Sequence, residues 1–413
     1  MENDKFRNML KRYARLIVKI GLNPNKGQKL VINCPVECAE FGRMCAEEGY
    51  DAGCSEVLVL WSDDFCSRLN YLRADDSVFE SFPEWKKMLV GHYADEGAAV
   101  LSIHATDPEN FKGVDPSRIV KSQKLAGEAL VEYRTKMMKN AFPWCVASIP
   151  VGSWASKVFP GETEDAAIQK LWSAILKTVR ADGDEDPVEL WKRHINKLGE
   201  RRDKLNKYNF KYLHYKNSIG TDLTVELPEG HFWGAASEKA GTGQNFVPNI
   251  PTEEIFTAPK RDAVNGVVCA SMPLVLDGTI IENIRFVLKD GKITEAYSDT
   301  NTDVLKNAIS VDEGASFLGE VALVPYDSPI SNMKLLFYNT LFDENAACHL
   351  AFGEAYPMVE GSSEMDKDQL LAAGLNVSMT HVDFMIGTSD LSIVGITHDG
   401  KEIPVFVNGN FAF

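Results

Sequence analysis

A histidine and an aspartate stand two residues apart in an apolar segment near the C-terminus, THVDFMIGT at 380–388. Side chains alternate along a β-strand, so His381 and Asp383 would share one face while Val382 and Phe384 take the other. Burying a neutral polar group without a partner costs roughly 2–7 kcal/mol, and burying a charge costs more. The motif therefore predicts that a partner meets both side chains, and imidazole with carboxylate is a common ligand pair for a divalent metal ion.

Three further segments place isolated polar side chains among apolar or small residues: PTEEIFTAP (251–259) with Glu253 and Glu254, FLGEVALV (317–324) with Glu320, and FDENAACHLAFGEAYP (342–357) with Glu344, His349 and Tyr356. Alternation along an extended segment lets only one of the two adjacent glutamates face a given site. A lone glutamate in an apolar strand is more often bonded to an arginine or a backbone amide than to a metal. Four such insertions in one half of the chain would each need a separate partner, whereas one metal cluster satisfies all of them.

The ligand types restrict the metal and its chemistry. Carboxylates with two imidazoles suit Zn, Mn or Co, and four or five ligands with a bridging carboxylate suit two ions roughly 3.5–4 Å apart. Such a pair lowers the pKa of a shared water toward about 7 and polarises a carbonyl oxygen. The residues therefore favour a hydrolytic enzyme with two divalent ions.

The first half of the chain has the pattern of a parallel sheet covered by helices. Short β-branched runs alternate with segments of helix composition: strands KLVIN (29–33), EVLVLW (56–61), AAVLSI (98–103) and WCVASI (144–149), with helical segments at 37–49 and 117–139. This β-α-β order predicts an N-terminal α/β domain with a largely parallel sheet. An amphipathic helix precedes it, and Gly21 is the predicted end of that helix.

The second half changes to strands and hairpins. Asp-Gly pairs at 277–278, 290–291 and 399–400 stand between apolar or alternating runs, which is a strong hairpin signal. We predict a C-terminal α+β domain whose mostly antiparallel sheet carries the metal site. The turn-forming acidic segment RADGDEDP (180–187) indicates a boundary between 180 and 210, and we divide the chain into domains 1–195 and 196–413.

Composition excludes several classes of partner. With 59 acidic and 43 basic residues the net charge is −16, which argues against nucleic-acid or anionic-membrane partners. No segment approaches the roughly 20 apolar residues of a membrane span, and the charged N-terminal segment does not resemble a signal peptide. The eight cysteines are too scattered for a disulfide framework. We expect a cytoplasmic protein with reduced thiols.

Four motifs taken together, NIPTEEIFTAP, LGEVALV, ENAACHLAFGEAY and the H-x-D pair, occur in an order that resembles the M29 family of metalloaminopeptidases. The resemblance runs over the whole chain. It implies release of N-terminal amino acids from short peptides with a free N-terminus, two divalent ions per subunit (Zn, Co or Mn), a homodimer and an active site enclosed in the assembly.

The resemblance also implies roles for individual residues. The metal ligands would be Glu253, Glu320, Glu344, His349, His381 and Asp383. Glu320 would bridge the ions, and Tyr356 would donate to the oxyanion that forms during hydrolysis. We further nominate Glu254 as the general base, unless it is an outward-facing neighbour of the site.

Two other interpretations remain open at this stage. The first is a dinuclear hydrolase of another amide or ester bond, or a phosphoesterase, which needs Arg or Lys beside the ligands; only Lys260 and Arg261 lie nearby in sequence, and they are more simply loop charges. The second is a non-catalytic metal-binding protein. Tyr356 favours catalysis, because a storage site has no use for it.

Overall fold

The computed structural model describes residues 2–107, 109–276 and 279–413. These residues form two units, one containing the chain up to His194 with Ser237–Pro251, the other containing Ile195–Ala236 with Thr252–Phe413. Nothing in the sequence indicated that segment 237–251 returns to the first unit. As a division into domains, 1–195 and 196–413 stays a prediction.

The α-helices of the described chain are α1 Glu2–Leu16, α2 Ala39–Asp51, α3 Asp64–Arg73, α4 Glu84–Asp95, α5 Pro116–Ala129, α6 Val131–Met138, α7 Gly152–Val158, α8 Glu164–Thr178, α9 Pro187–Tyr208, α10 Thr302–Ala308, α11 Thr340–Asp343 and α12 Lys367–Ala372. Most of them belong to the first unit, in agreement with the helical composition of that half. Within the described residues, no helix has the length and apolar character needed to cross a membrane.

The strands are β1 Lys29–Pro35, β2 Glu56–Ser62, β3 Ala99–His104, β4 Trp144–Ser148, β5 Phe210–Lys216, β6 Asp222–Glu226, β7 Gly234–Ala235, β8 Glu238–Lys239, β9 Asn245–Phe246, β10 Asn249–Ile250, β11 Ile255–Thr257, β12 Val264–Cys269, β13 Leu274–Leu276, β14 Thr279–Ile281, β15 Arg285–Lys289, β16 Lys292–Tyr297, β17 Leu318–Leu323, β18 His349–Gly353, β19 His381–Met385, β20 Ser392–Thr397, β21 Glu402–Val407 and β22 Asn410–Phe411. The mixed α/β class predicted from the sequence is confirmed by these elements and by their arrangement.

The first unit contains a parallel sheet in the order β10-β4-β3-β1-β2. The four apolar runs predicted as strands form β1 to β4, and the helical segments form α2, α5 and α6. The central strands β1 and β3 are largely buried, as expected for strands covered on both faces. The fifth strand, β10, comes from the returning segment 237–251.

The opening helix runs past its predicted end. After α1 it continues as a π-helical turn, Ile17–Leu22, and Asn23 ends it in the left-handed conformation with φ 45°. Asparagine tolerates that conformation better than most residues. Gly21 serves packing instead, because a Cβ there would lie 2.6 Å from the Cys145 sulfur.

The second unit contains two antiparallel sheets, with strand orders β16-β15-β12-β6-β5-β20-β21-β22 and β19-β18-β17-β11-β7. The predicted hairpins at 290–291 and 399–400 are confirmed, since β15 pairs with β16 and β20 with β21. Strands β13 and β14 also pair, but their Asp-Gly turn at 277–278 lies outside the described residues.

One hydrophobic cluster packs the two sheets of the second unit together. The Phe286 ring from the eight-stranded sheet lies 6.0 Å from Phe352 and 5.2 Å from Phe384 of the five-stranded sheet, edge to face. Such pairs contribute roughly 0.5–1.5 kcal/mol beyond the burial of their area. This packing holds one face of β17, β18 and β19 in the core and leaves the opposite face for polar side chains.

Candidate metal centre

Five of the polar residues singled out from the sequence come together on that opposite face of the five-stranded sheet: Glu254, Glu320, His349, His381 and Asp383. The register aligns Glu320 of β17 with Ala351 of β18, and Ala351 with Asp383 of β19. Residues directly opposite in antiparallel strands point to the same side, and His349 and His381 lie two positions before Ala351 and Asp383 on that side. Because Ala351 between the two carboxylates carries only a methyl group, the centre of this face is left open.

A β-bulge in β17 aims Glu320 at the site. The register with β18 shifts between Leu318 and Glu320, so Leu318 joins the core cluster although it stands two positions before the buried carboxylate. Gly319 makes the bulge possible, because a Cβ there would lie 2.3 Å from the Glu354 carbonyl oxygen. Bulges commonly redirect a side chain in this way.

Glu320 lies between the two histidines, with one carboxylate oxygen toward each. Its Oε1 is 3.8 Å from His349 Nε2, and its Oε2 is 3.2 Å from His381 Nε2. Glu254 Oε2 lies 3.4 Å from His349 Nε2, and Asp383 Oδ1 lies 3.3 Å from His381 Nε2. Two groups of three possible ligands result, and they share Glu320.

Backbone carbonyl groups orient both imidazole rings. His349 Nδ1 lies 3.2 Å from the Ala347 oxygen, and His381 Nδ1 lies 2.7 Å from the Glu354 oxygen. Each Nδ1–H therefore donates to a carbonyl group, which leaves Nε2 directed at the carboxylates. Metal-binding histidines are commonly held in this manner.

The buried carboxylates of the site carry negative charge that bound cations would neutralise. Burial raises the pKa of Glu320, and burial together with the charges of Asp383 and Glu254 raises that of Glu344 well above its usual range. Burial acts to lower the pKa of His349, but its hydrogen bond and charge interaction with Glu254 outweigh this and raise it to about 10. Among the described residues, no Lys or Arg forms an ion pair with Glu254, Glu320, Glu344 or Asp383. Four carboxylates beside two imidazoles therefore fit divalent ions, whose binding would displace the histidine protons.

The strand register also decides which of the two adjacent glutamates faces the site. Phe256 of β11 is opposite Ala322, which shares a face with Glu320. Glu254, two positions before Phe256, lies on that same face and belongs to a ligand group, whereas Glu253 belongs to neither group found in the described chain.

Glu253 is held differently. Its carboxylate is buried, and its charge acts to raise the pKa of the partly buried Arg201, which burial lowers more strongly. Its backbone N–H donates to Asn345 Oδ1 at 2.8 Å. Glu253 thus anchors the segment that presents Glu254.

Glu344 and Tyr356 lie beside the two ligand groups. The Glu344 carboxylate accepts a hydrogen bond from Asn345 Nδ2 at 3.3 Å. The Tyr356 ring lies 5.5 Å from the His381 ring, and burial with the charges of Glu320 and Asp383 raises the pKa of its phenol well above the usual range. Tyr356 therefore stays protonated and can donate a hydrogen bond.

Two supporting residues were missed by the sequence analysis. Asn345 is fully buried and connects the backbone of Glu253 with the Glu344 carboxylate. Glu354 accepts from His381 through its carbonyl oxygen and from the Ser378 backbone N–H through its side chain. Both are polar residues among apolar or small neighbours in the segment that contains Glu344 and His349, and that pattern is the sequence signal for them.

Comparison with known proteins agrees with this geometry. The family model described as thermophilic metalloprotease (M29) matches residues 6–411. The chain is 44% identical to aminopeptidase AmpS of Bacillus subtilis over 411 residues, covering 99% of this chain and 100% of that protein. It is 42% identical to aminopeptidase 2 of Geobacillus stearothermophilus, covering 99% of each. The solved structure of wild-type AmpT from Thermus thermophilus superposes with a TM-score of 0.92 at 36% identity, covering 99% of this chain and 100% of that one.

Proposed function

The chain belongs to the M29 family of thermophilic metalloproteases and is a metalloaminopeptidase, and from that membership we propose that it releases single amino acids from short peptides with two divalent ions bound. The observation that carries the proposal is Glu320, whose two oxygens face two different histidines. A carboxylate so placed suits a bridge between two ions. Zn, Co and Mn all accept this donor set.

We assign three residues to each ion. Glu254, Glu320 and His349 would hold one ion, and Glu320, His381 and Asp383 would hold the other. This assignment makes Glu254 a metal ligand in place of Glu253, which the family resemblance implied. The alternation of side chains along β11 supports this change, because it places Glu254 on the face of Glu320.

When bound, divalent ions supply Lewis-acid polarisation of the scissile carbonyl and a lowered pKa for the attacking water. Tyr356 donates its hydroxyl proton in a hydrogen bond to the developing oxyanion. Glu344 lies in the carboxylate cluster but outside both ligand groups. We propose that bound cations would offset the burial and the charges of Asp383 and Glu254 that raise its pKa, so that Glu344 can accept the proton from the water and deliver it to the leaving amine. The sequence analysis had placed Glu344 among the ligands and Glu254 in proton transfer.

Chelation combined with a blocked substrate tests this function. We expect removal of divalent ions to lower hydrolysis of leucine p-nitroanilide at least about 100-fold, since several kcal/mol of transition-state stabilisation is lost. Adding Zn, Co or Mn should restore the activity. N-acetyl-leucine p-nitroanilide should not be cleaved. Full activity in protein shown by elemental analysis to be metal-free, or equal cleavage of the acetylated substrate, would contradict the proposal.

Glutamine variants of the three glutamates separate their roles. Glu254→Gln should lose one ion per subunit, because its carboxylate completes one ligand group. Glu344→Gln should keep both ions and lose about 10²–10⁴-fold in kcat, the usual contribution of a proton-transfer group. Elemental analysis and steady-state kinetics on the same preparations give both readouts.

Glu253→Gln is the matched control for these variants, since Glu253 is adjacent to Glu254 and its side chain is also largely shielded from solvent. It should keep both ions and most of the activity. Loss of an ion from Glu253→Gln with none lost from Glu254→Gln would reverse the assignment.

Phosphoester hydrolysis has less support. The basic residues nearest in sequence are engaged elsewhere, Lys260 with Glu226 at 3.2 Å and Arg261 with Glu313 at 2.9 Å. A phosphate substrate would therefore gain no compensating charge from Lys260 or Arg261.

We also propose a homodimer in the cytoplasm. Large apolar side chains that are more than half exposed cluster in sequence on α3–α6: Phe65, Trp85, Met88, Val120 and Val131. Exposed apolar residues that form a contiguous patch mark an interaction surface, and we propose that these residues form such a patch at the dimer interface. Within the described chain all eight cysteines are free thiols, which fits a reducing compartment. A mass of one subunit in light scattering would contradict the dimer.

A further inference from the structure

A small cavity of about 70 Å³ opens beside the metal centre. Three segments form its walls: Pro273–Val275 around the start of β13, Tyr338–Thr340 with Asp343, and Asp383 with Met385 of β19. Asp383 therefore belongs both to a ligand group and to the cavity wall. The remaining side chains of the first and third walls are apolar.

The wall at Tyr338–Thr340 is held in place by a buried carboxylate. Asp343 Oδ1 accepts the Phe337 backbone N–H at 2.8 Å, and its Oδ2 accepts the Asn339 N–H at 3.0 Å. Tyr338 between them adopts the left-handed conformation with φ 54°. The cavity is therefore preformed, and the Asp343 carboxylate is used to shape its wall.

We propose that this cavity receives the side chain of the substrate's N-terminal residue and restricts it to aliphatic side chains smaller than an aromatic ring. The inference rests on the proposed aminopeptidase function. The α-amine and the scissile carbonyl flank the same Cα, so the side chain of the first residue leaves the substrate at the metal centre and enters the space next to a ligand such as Asp383.

The volume sets the size limit. An engineered apolar cavity of about 150 Å³ accommodates benzene, and the cavity beside Asp383 has about half that volume. Alanine, valine and leucine side chains should therefore be accepted in preference to phenylalanine. Hydrophobic pockets discriminate such differences by roughly 10–200-fold in kcat/KM.

The test compares kcat/KM for alanine, leucine and phenylalanine p-nitroanilides in metal-loaded full-length protein. We expect leucine to exceed phenylalanine about tenfold or more. Val275→Phe, which fills the cavity from β13, should lower the leucine-to-alanine ratio about tenfold. Tyr338→Gly should enlarge the cavity and raise the phenylalanine-to-leucine ratio of kcat/KM. Glycine adopts the left-handed conformation of position 338 readily, so the backbone should be unchanged. Val407→Phe, at an exposed position outside the cavity, is the matched control and should change neither ratio.

The outcomes separate this inference from the function on which it rests. Suppose that the wild type cleaves all three substrates and that both cavity variants keep the wild-type ratios of kcat/KM among them. This result would overturn the cavity assignment and leave the aminopeptidase proposal intact. The cavity assignment would also be overturned if the cavity variants altered kcat/KM only for dipeptides that differ in their second residue, and not for substrates that differ in the first. Failure of the metal-loaded wild type to cleave any of the three would overturn both.

Discussion

Replacing Glu320 with alanine should remove both divalent ions and lower kcat/KM for leucine p-nitroanilide by about 10³-fold or more. Glu320 is the residue common to the two ligand groups, with one oxygen 3.8 Å from His349 Nε2 and the other 3.2 Å from His381 Nε2. Loss of any other proposed ligand leaves one group of three complete, whereas loss of Glu320 leaves each group with only two ligands. Elemental analysis and kinetics together measure the effect.

Thermal stability provides a readout of this variant that does not depend on activity. Ions that bind only the folded state stabilise it by RT ln(1 + [L]/Kd), so the wild-type melting temperature should rise when divalent ions are added. Glu320→Ala should lose that rise. In chelated protein the variant should be less stable than the wild type, because the buried imidazoles of His349 and His381 each lose a carboxylate partner. The readout is therefore the rise in melting temperature on adding ions, measured within each protein.

Glu402→Ala is the control for this variant, because Glu402 lies on an exposed strand position in the same unit. It should keep both ions, the activity and the rise in melting temperature. A Glu320→Ala protein that retains two ions per subunit would show that the proposed bridge is wrong.

Replacing Tyr356 with phenylalanine should lower kcat about 10²–10³-fold, the usual loss when one oxyanion donor is removed. The phenol stays protonated because burial and the neighbouring carboxylates Glu320 and Asp383 raise its pKa. Since the ring packs 5.5 Å from His381 and 5.9 Å from Phe256, phenylalanine should keep the local packing. Bound metal should therefore be unchanged, and KM should change much less than kcat.

Tyr297→Phe removes a hydroxyl from a half-exposed tyrosine outside the site and serves as the control. It should leave kcat and metal content at wild-type values. Full turnover in Tyr356→Phe would show that another group stabilises the oxyanion, while loss of metal would show that the phenol helps to build the site rather than to catalyse.

Local patterns in the sequence were sufficient for much of the fold. The four apolar runs of the first half became β1 to β4, because a buried parallel strand needs a short run of β-branched residues whatever its neighbours are. The helix end predicted at Gly21 was one residue too early, since the helical turn runs to Leu22 and Asn23 caps it. Position 21 is glycine because a side chain there would collide with the Cys145 sulfur, and these two residues are far apart in the chain.

The sequence by itself determined which residue types could do chemistry and that only one of Glu253 and Glu254 could face a given site. Both conclusions follow from side-chain chemistry and from the two-residue period of an extended backbone. The choice between the two glutamates needed the pairing of β11 with β17, because a shift of one residue in register moves every side chain to the other face.

The position of Glu320 was likewise decided by tertiary structure. Strict alternation would place Leu318 and Glu320 on one face, and the bulge at Gly319 separates them, so that leucine enters the core and glutamate reaches both histidines. A bulge depends on how two strands pair across the sheet, and that pairing is made by residues distant in sequence. Local chemistry therefore supplied the candidate ligands, and strand pairing brought them together on one face of the sheet.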